Sequence, residues 1–379
     1  MTHLNTPLKL ITSHSKLVDL CKRLLSFPTV AVDTESNSLF AYREQVCLIQ
    51  FSTPEKDYLV DPLAIGDISP LEEVFASEQT EKIFHAAEYD LLTMTRDFEF
   101  NFCNLFDTML AARIAGRKKI GLGTLLAEEF DVQVEKKYQR ADWGKRPLPP
   151  EMQLYARLDT HYLIRLRNLL DQELSKLGRR ELAQDDFVRL CFVNGTVPEP
   201  HGVDVWRING VRSLSPQQVT ILRYLAEYRE DAAQKQDRPL FKVIGDRTLV
   251  AVAEAQPKNL NELSQMPGMS QRQVRRYGKA MLHAVRKAEG DKPSYRKRPP
   301  AIDEKVLTLI EILREWRKVT ARSQGVESDV VLPRQLLEKI AHQQPVSRVQ
   351  LDEILTESPW RKKHYSERIW SEIEKVLPS

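Results

Sequence analysis

The sequence lacks any run of about 18 consecutive apolar residues, the length that a membrane-spanning helix requires. Residues 1–16 are polar and lack the apolar segment of a secretory signal peptide. We therefore expect neither a membrane span nor export, and the simplest interpretation of the 379 residues is a cytoplasmic protein.

Cysteines are scarce, and their spacing matches neither a zinc site nor a redox pair; there are only four, at Cys21, Cys47, Cys103 and Cys191. A reduced protein without structural disulfides is expected. The G-x-x-x-x-G-K-[ST] phosphate loop is also absent, because Gly144-Lys145 is followed by Arg146 and lacks the upstream glycine. That absence disfavours a helicase.

The sequence as a whole has little excess of charge of either sign, with a net charge of +3. Its two halves differ, however. Residues 1–195 carry 24 basic and 29 acidic side chains, whereas residues 196–379 carry 32 basic and 24 acidic ones. An acidic half joined to a basic half suits catalysis in the first and polyanion binding in the second, although chance would also explain the asymmetry.

Strand and helix patterns alternate in the first half. Short β-rich apolar runs predict strands at 29–33, 46–51, 58–60 and 82–85, the first three forming an antiparallel meander. Helices are predicted at 70–76, 88–97, 108–115 and 124–129. Pro149-Pro150 begins what we predict to be one long helix that ends near Leu177. These elements predict a mixed-sheet α/β domain at 1–195, followed by a Gly- and Pro-rich linker at 193–201.

Helical patterns dominate the second half and repeat with a period of 88 residues. Tyr228-Arg229 aligns with Trp316-Arg317, and the apolar spacing that follows matches without a gap. A basic, proline-rich linker at 291–300 separates the two copies. We therefore predict two small helical domains at 205–292 and 300–379.

Acidic side chains occur at positions where they can converge. Asp33 and Glu35 end an apolar strand at spacing i, i+2, and Tyr155 and Asp159 share one face of a helix. Asp90 begins another helix. Each has an ordinary alternative: a strand entering a polar loop, a first-turn acid favoured by the helix dipole, or a solvated residue beside an amphipathic stripe.

Order and spacing together are more specific than any of these patterns alone. The series Asp33-x-Glu35, Asp90 and Tyr155-xxx-Asp159 resembles the tyrosine subgroup of the DEDD superfamily of 3′–5′ exonucleases. The stretch from Asp142 to Leu148 is similar to that of the ribonuclease D family, and the helical copies resemble helicase-and-ribonuclease-D C-terminal (HRDC) domains. This resemblance implies a ribonuclease H-like mixed-sheet domain followed by two HRDC bundles.

The resemblance also implies a mechanism. Asp33, Glu35, Asp90 and Asp159 would hold two divalent cations, Mg²⁺ or Mn²⁺, directly or through water, in a two-metal hydrolysis. Tyr155 would position the attacking water, since a phenol is a poor base at neutral pH. The expected enzyme is a 3′–5′ exoribonuclease that trims RNA 3′ ends, notably those of tRNA precursors, and releases nucleoside 5′-monophosphates.

Two other functions stay open at this point: a DNA 3′–5′ exonuclease of the same superfamily, and a catalytically silent RNA-binding scaffold. Basic residues recur at helix-compatible spacing after Pro267-Gly268 in the first helical copy, and they form either a candidate phosphate-binding face or a charged surface that only favours solubility: Arg272, Arg275, Arg276 and Lys279. The second copy has Ser358-Pro359-Trp360 near the corresponding place, which makes RNA binding there an open question. We expect a monomer, because no coiled-coil pattern is present.

Overall fold

A computed structural model describes residues 6–192, 203–296 and 301–376. The predicted linker at 193–201 lies outside the described residues, as does the end of the linker at 291–300. Contacts group the described chain into two compact units. One contains residues 6–36, 46–192 and 301–376, and the other contains residues 37–45 and 203–296.

Six strands in the first unit form one mixed sheet: β1 (Leu8–Ile11), β2 (Thr29–Ser36), β3 (Val46–Ser52), β4 (Asp57–Val60), β5 (Glu81–Phe84) and β6 (Leu105–Asp107). Their order across the sheet is β1-β4-β3-β2-β5-β6. Strands β2, β3 and β4 pair antiparallel, which confirms the predicted meander, whereas β1, β5 and β6 join it in parallel.

Nine helices lie among and after these strands in residues 6–192: α1 (His14–Leu25), α2 (Pro62–Ile65), α3 (Leu71–Phe75), α4 (Glu88–Phe98), α5 (Thr108–Ala115), α6 (Leu122–Phe130), α7 (Pro150–His161), α8 (Leu163–Lys176) and α9 (Arg180–Leu190). Strands β1 and β6 and helices α1, α2 and α9 were not predicted from the sequence. The predicted mixed-sheet α/β domain is confirmed.

The prediction of one long helix from Pro150 to near Leu177 is wrong in one respect. The structure has two helices there, α7 and α8, separated at Tyr162. The two helices pack on different cores. Met152 and Ala156 of α7 join a small cluster over β3 and β4, whereas the leucine stripe of α8 packs into a larger cluster with Ile83 and Phe106. A straight helix would leave one of these apolar faces in water.

Alternation along β2 assigns its residues to opposite faces of the sheet. Val30 and Val32 face a core that includes Phe51, Phe75 and Phe84. Ala31 faces the opposite core, with the leucines of α8. By the same alternation Asp33 and Glu35 continue the face of Ala31.

The helical half confirms the 88-residue repeat. The first helical domain contains α10 (Pro216–Gln236), α11 (Leu240–Val243), α12 (Asp246–Ala255), α13 (Leu260–Ser264) and α14 (Gln271–Glu289). The second contains α15 (Glu304–Gln324), α16 (Ser328–Val331), α17 (Arg334–Gln343), α18 (Arg348–Ile354) and α19 (Pro359–Glu374). Every helix of the second copy begins 88 residues after its counterpart.

The second unit includes nine residues that precede β3 in the chain. Within this unit the Tyr42 hydroxyl donates a hydrogen bond to Glu230 at 2.6 Å, and the Lys242 ammonium lies 3.8 Å from the centroid of the Phe40 ring. Residues 37–45 therefore pack with the first helical domain. Among all described residues, no helix has the length and apolarity that crossing a bilayer requires.

Candidate active site

Strand β2 supplies two acids of the candidate site. Asp33 pairs with Gln50 and Glu35 with Leu48 of β3, and the register shifts between Glu35 and Ser36. Both carboxylates are half-buried at the end of the strand. Pairing with β3 fixes the backbone that carries both acids, and pairing with β5 holds the preceding residues, 29–31.

Helix α7 supplies the third acid, Asp159, together with Tyr155 one turn earlier. The helix is tied to the sheet by Arg157 and His161, which both contact the Asp57 carboxylate of β4. The Arg157 Nε lies 2.6 Å and the His161 Nδ1 2.9 Å from the Asp57 Oδ2. Asp57 therefore anchors the helix at the two residues that flank Asp159.

Three carboxylates meet where β2 and α7 approach each other. One carboxylate oxygen from each of Asp33, Glu35 and Asp159 lies within 4.8 Å of the other two. In the part of the chain that the structure describes, no lysine, arginine or histidine forms an ion pair with them. Three like charges thus converge without a counter-charge from these residues.

The electrostatic result is a strong preference for the neutral acids. Burial, reinforced by the neighbouring carboxylates, raises the pKa of Glu35 to about 9 and that of Asp159 to about 7. The same two causes raise the pKa of Asp33 well above its usual range. Such a cluster favours either protons or cations, and hard oxygen donors suit Mg²⁺ or Mn²⁺.

Asp90 lies apart from the three converging oxygens. It is 8% exposed on α4 and accepts a hydrogen bond from the Thr34 hydroxyl of β2. Burial raises its pKa to about 7, although the bond from Thr34 opposes the rise, and Asp90 in turn raises the pKa values of the other three acids. The structure brings the carboxylates of Asp33, Glu35 and Asp159 into one group. The Asp90 carboxylate is outside this group and contacts Thr34 instead.

Tyr155 lines the cavity in front of the acids. Its ring packs against Tyr138 and Trp143, with centroids 5.9 and 6.0 Å away. Burial and the nearby carboxylates of Asp159, Glu35 and Asp33 raise the pKa of its phenol. Tyr155 therefore carries its proton at neutral pH and can donate a hydrogen bond from a fixed ring.

The stretch from Asp142 to Leu148 is structural. Trp143 is 1% exposed and packs in the cluster beneath α7, so it cannot stack on a base. The Arg146 guanidinium donates two hydrogen bonds to Asp61, at 2.7 and 2.8 Å, and a third to the carbonyl of Cys47. This loop therefore holds α7 against the sheet.

The cavity has a volume of about 670 Å³ and includes residues that the sequence did not single out. Thr124, Gln133, Lys136 and Gln139 are four of them. His85 also lines the cavity; its position at the end of a strand predicts a packed or hydrogen-bonded histidine rather than a catalytic one, and its Nδ1 lies 2.9 Å from the Thr108 hydroxyl oxygen. Burial lowers the pKa of His85, so it is neutral at physiological pH. Nothing in the sequence distinguishes the polar residues between α6 and α7.

The loop that leads into α4 is held by Asp107, the N-cap of α5. Its carboxylate accepts hydrogen bonds from the amides of Met109 and Leu110, as an N-cap does, and from those of Ala86 and Ala87. Asp107 thus fixes the backbone between His85 and Asp90.

Comparison with known families agrees with this division of the chain. Residues 8–175 match a 3′–5′ exonuclease family, and residues 218–285 and 306–373 match the HRDC domain. Both helical copies are therefore recognised, with bounds inside those predicted from the repeat.

Among curated proteins, the chain is 32% identical over 259 residues to "Ribonuclease D" of Jannaschia sp. (strain CCS1), which covers 67% of each protein. It is 31% identical over 274 residues to "Protein RRP6-like 2" of Arabidopsis thaliana. That match covers 69% of this chain but only 31% of the plant protein, and the chain covers between 29% and 46% of several eukaryotic relatives.

Among solved structures, the chain superimposes on Escherichia coli RNase D, described as an exoribonuclease involved in structured RNA processing. The TM-score is 0.68 at 26% identity, and the match covers 97% of this chain and 99% of the other. The likeness therefore extends over both helical domains as well as the α/β domain.

Proposed function

The chain belongs to the ribonuclease D family of 3′–5′ exonucleases, and from that premise we propose that it is a metal-dependent 3′–5′ exoribonuclease that trims the 3′ ends of structured RNAs. The observation that carries the proposal is the convergence of Asp33, Glu35 and Asp159 in one open cavity, without a cationic partner among the described residues. The natural substrates that we expect are tRNA precursors.

The donor set fits divalent cations. Asp33, Glu35 and Asp159 supply carboxylate oxygens at mutual distances that a single cation can bridge, and Asp90 adds negative charge behind them. We propose that these four residues hold two cations, Mg²⁺ or Mn²⁺. When bound, such ions acidify water and stabilise charge on the attacking and leaving oxygens of a phosphodiester.

The chain's own residues contribute the negative charge that binds the cations and a hydrogen bond that orients a water molecule. The acids must lose their protons for cations to bind, so binding and deprotonation are coupled. Tyr155, which keeps its proton, donates a hydrogen bond that orients a water molecule in front of the acids. The ring's packing against Tyr138 and Trp143 limits its rotation and fixes the direction of that bond.

RNA is the expected partner of the helical half. In the first helical domain the basic residues of α14 are exposed: Arg272, Arg275, Arg276 and Lys279. Arginines on one helix suit contacts to a phosphate backbone, which carry affinity without base specificity. The domain would hold a folded RNA while its single-stranded 3′ end is hydrolysed. A monomeric state and a cytoplasmic location stay predictions.

A direct assay tests this function. A 3′-extended tRNA and a DNA oligomer of the same 3′ sequence are incubated with Mg²⁺, Mn²⁺ or EDTA, and released mononucleotides are separated by chromatography. We expect nucleoside 5′-monophosphates from the RNA with either cation and none with EDTA. Release from DNA alone would favour a DNA exonuclease, and release from neither would favour a silent RNA-binding scaffold. The Asp33→Asn variant, expected to be inactive, controls for contaminating nucleases.

A further inference from the structure

The two helical domains have equivalent internal hydrogen bonds. The Arg229 guanidinium of α10 donates to the carbonyl of Ile244 at 3.1 Å, and its counterpart Arg317 donates to the carbonyl of Leu332 at 2.9 Å. The hydroxyls of Tyr277 and Tyr365 bond to Gln236 and Gln324 in the same way, each at 3.1 Å. All these pairs are 88 residues apart. A difference between the copies must therefore arise on their surfaces.

The N-terminus of the last helix is where the surfaces diverge. In the first copy Ser270 caps α14 within its own helix, because its hydroxyl accepts from the amide of Gln273 and its amide donates to the Gln273 side chain. In the second copy the equivalent Ser358 donates instead to the carboxylate of Asp185 on α9, at 2.7 Å.

The same carboxylate occupies the start of α19. The amide of Trp360 donates to the Asp185 Oδ2 at 2.9 Å, and Ser358 is fully buried. A helix N-terminus attracts anions because its first amides lack partners and the helix dipole is positive there. Asp185 fills the position that an external anion, such as a phosphate, would need.

A buried ion pair joins the same two helices. The Arg361 Nη1 and Nη2 donate to the two carboxylate oxygens of Asp186, at 2.9 and 3.0 Å. Arg361 is fully buried and also donates to the carbonyls of Val330 and Val331. Each charge is thus compensated, and removing one partner would leave the other charge buried.

Apolar and polar contacts extend this interface. Val330 lies in the core cluster of the α/β domain together with Phe106 and Phe187, and Trp360 packs against that cluster. The Arg179 guanidinium donates to the carbonyl of Gln324 at 2.6 Å, and the Arg113 guanidinium to Asp329 at 2.9 Å. The two domains share a continuous hydrophobic core, which is typical of a permanent association.

The basic face of α14 has also been lost in α19. Arg272, Arg276 and Lys279 correspond to Trp360, His364 and Glu367, so of the four basic positions only Lys363 keeps a permanent positive charge. Phosphate binding depends on such charges.

We propose that the second helical domain is permanently docked on the α/β domain rather than being an RNA-binding module, and that RNA binding by the helical half belongs to the first helical domain. The proposal rests on the RNA-binding function proposed above. It assigns the face of the second domain around Ser358 and Arg361 to an internal partner, the pair Asp185 and Asp186 on α9.

Binding measured in EDTA tests the division of labour independently of hydrolysis. A fluorescently labelled 3′-extended tRNA is titrated with the full chain at fixed salt. We expect Arg272→Glu/Arg275→Glu to weaken affinity by at least about tenfold, because two phosphate contacts are lost and repulsion is added. The matched variant Lys362→Glu/Lys363→Glu changes the same charge on α19 and should alter affinity less than about twofold.

An equal loss for both variants, or a loss for the α19 variant alone, would overturn the proposal. No loss for either would overturn the part that assigns RNA binding to the first helical domain. If the wild-type chain binds the tRNA but hydrolyses neither RNA nor DNA with Mg²⁺ or Mn²⁺, the proposed catalysis fails and this inference stands.

Calorimetry tests the docking. Asp186→Asn and Arg361→Gln should each lower the melting temperature of the full chain by roughly 5–10 °C, with an unchanged tRNA affinity. Arg368→Gln removes an exposed arginine from the same helix and is the control. The double variant should be no less stable than either single one. Melting temperatures within about 1 °C of wild type for both single variants would overturn the docking, and Asp185→Asn provides a milder variant if Arg361→Gln does not fold.

Discussion

Buried and half-buried carboxylates of the α/β domain fall into two groups with opposite electrostatics. Asp57 and Asp186 are each paired with an arginine, and burial alone would raise the pKa of Asp57, but hydrogen bonds from His161, Ser52 and Thr6 hold it below its usual range. Asp33 and Asp159 instead lie close to each other and to Glu35, without a basic partner among the described residues, and their pKa values are raised.

The difference distinguishes carboxylates that stabilise the fold from those that we propose bind cations. A paired carboxylate stabilises the folded chain or at least costs little, since each charge is compensated. A cluster of unpaired acids costs stability when no cation is bound, and acids with raised pKa values that line a cavity are typical of functional sites. The two groups of carboxylates should therefore respond to substitution in opposite ways.

Removing one acid of the cluster should have the largest effect on activity. We expect Asp159→Asn to lower kcat/KM for RNA hydrolysis by at least about 10³-fold, roughly 4 kcal/mol, because an amide cannot replace a charged ligand of a divalent cation. Mononucleotide release under Mg²⁺ measures the effect. Glu151→Gln, an exposed acid on the same helix, should stay near wild type.

The same substitution should not weaken the fold. Without metal, Asp159→Asn removes one member of a repelling group, so its free energy of unfolding in EDTA should equal or exceed that of the wild type. Urea denaturation measures this. A clear loss of stability would place Asp159 among the structural carboxylates, and near-normal turnover would remove it from the site.

Breaking the paired carboxylate should have the reverse result. We expect Arg157→Met to lower the free energy of unfolding by about 3–5 kcal/mol, because Asp57 would be left buried with one fewer donor. Urea denaturation in EDTA measures the change, with the exposed Lys22→Met as control. An unchanged stability would show that Asp57 does not depend on its arginine.

Only part of the fold that positions these carboxylates could be predicted from the sequence. The strands of the meander and the 88-residue repeat could be predicted, because periodic apolar runs and turn residues are local signals. Strand β1 was missed, since its four residues gain stability only by pairing with β4. The break at Tyr162 was missed because α7 and α8 continue one helical pattern and differ only in the core that each contacts.

The candidate site shows the same limit. Asp33, Glu35 and Asp159 could be named because spacing and order are characteristic, and the structure places their oxygens together. The role of Asp90 stays a prediction. The partners of the paired acids have no local signal at all, because Arg157 is 100 residues from Asp57 and Arg361 is 175 residues from Asp186.

The two groups of carboxylates should also differ in how they make the stability of the fold depend on pH. In EDTA, Glu35 and Asp159 keep protons in the folded chain that they lose in the unfolded chain near pH 4, so the folded state is disfavoured as pH rises. We expect their combined contribution to lower the free energy of unfolding by several kcal/mol between pH 5 and 8. The fall should be smaller in Asp159→Asn.

Cations should remove that pH dependence. With saturating Mg²⁺ the carboxylates are charged and compensated, so stabilisation by Mg²⁺ should grow with pH. Thermal unfolding at several pH values, with Mg²⁺ or EDTA, measures the difference. If Mg²⁺ stabilised the protein equally at pH 5 and pH 8, the cluster would not be its binding site.

The smallest effect should come from Tyr155→Phe, which keeps the ring and removes only the hydroxyl. We expect kcat to fall roughly tenfold, about 1.4 kcal/mol, with KM nearly unchanged, because one hydrogen bond that orients water is lost while the acids remain. Tyr138→Phe, in the adjacent ring, should have little effect.

The raised pKa of Tyr155 adds a second expectation: between pH 7 and 9 the activity ratio of wild type to variant should stay constant, because the phenol does not ionise there. A ratio that rises with pH would instead make Tyr155 a base, and a loss as large as that of Asp159→Asn would place its hydroxyl among the groups that the reaction cannot do without.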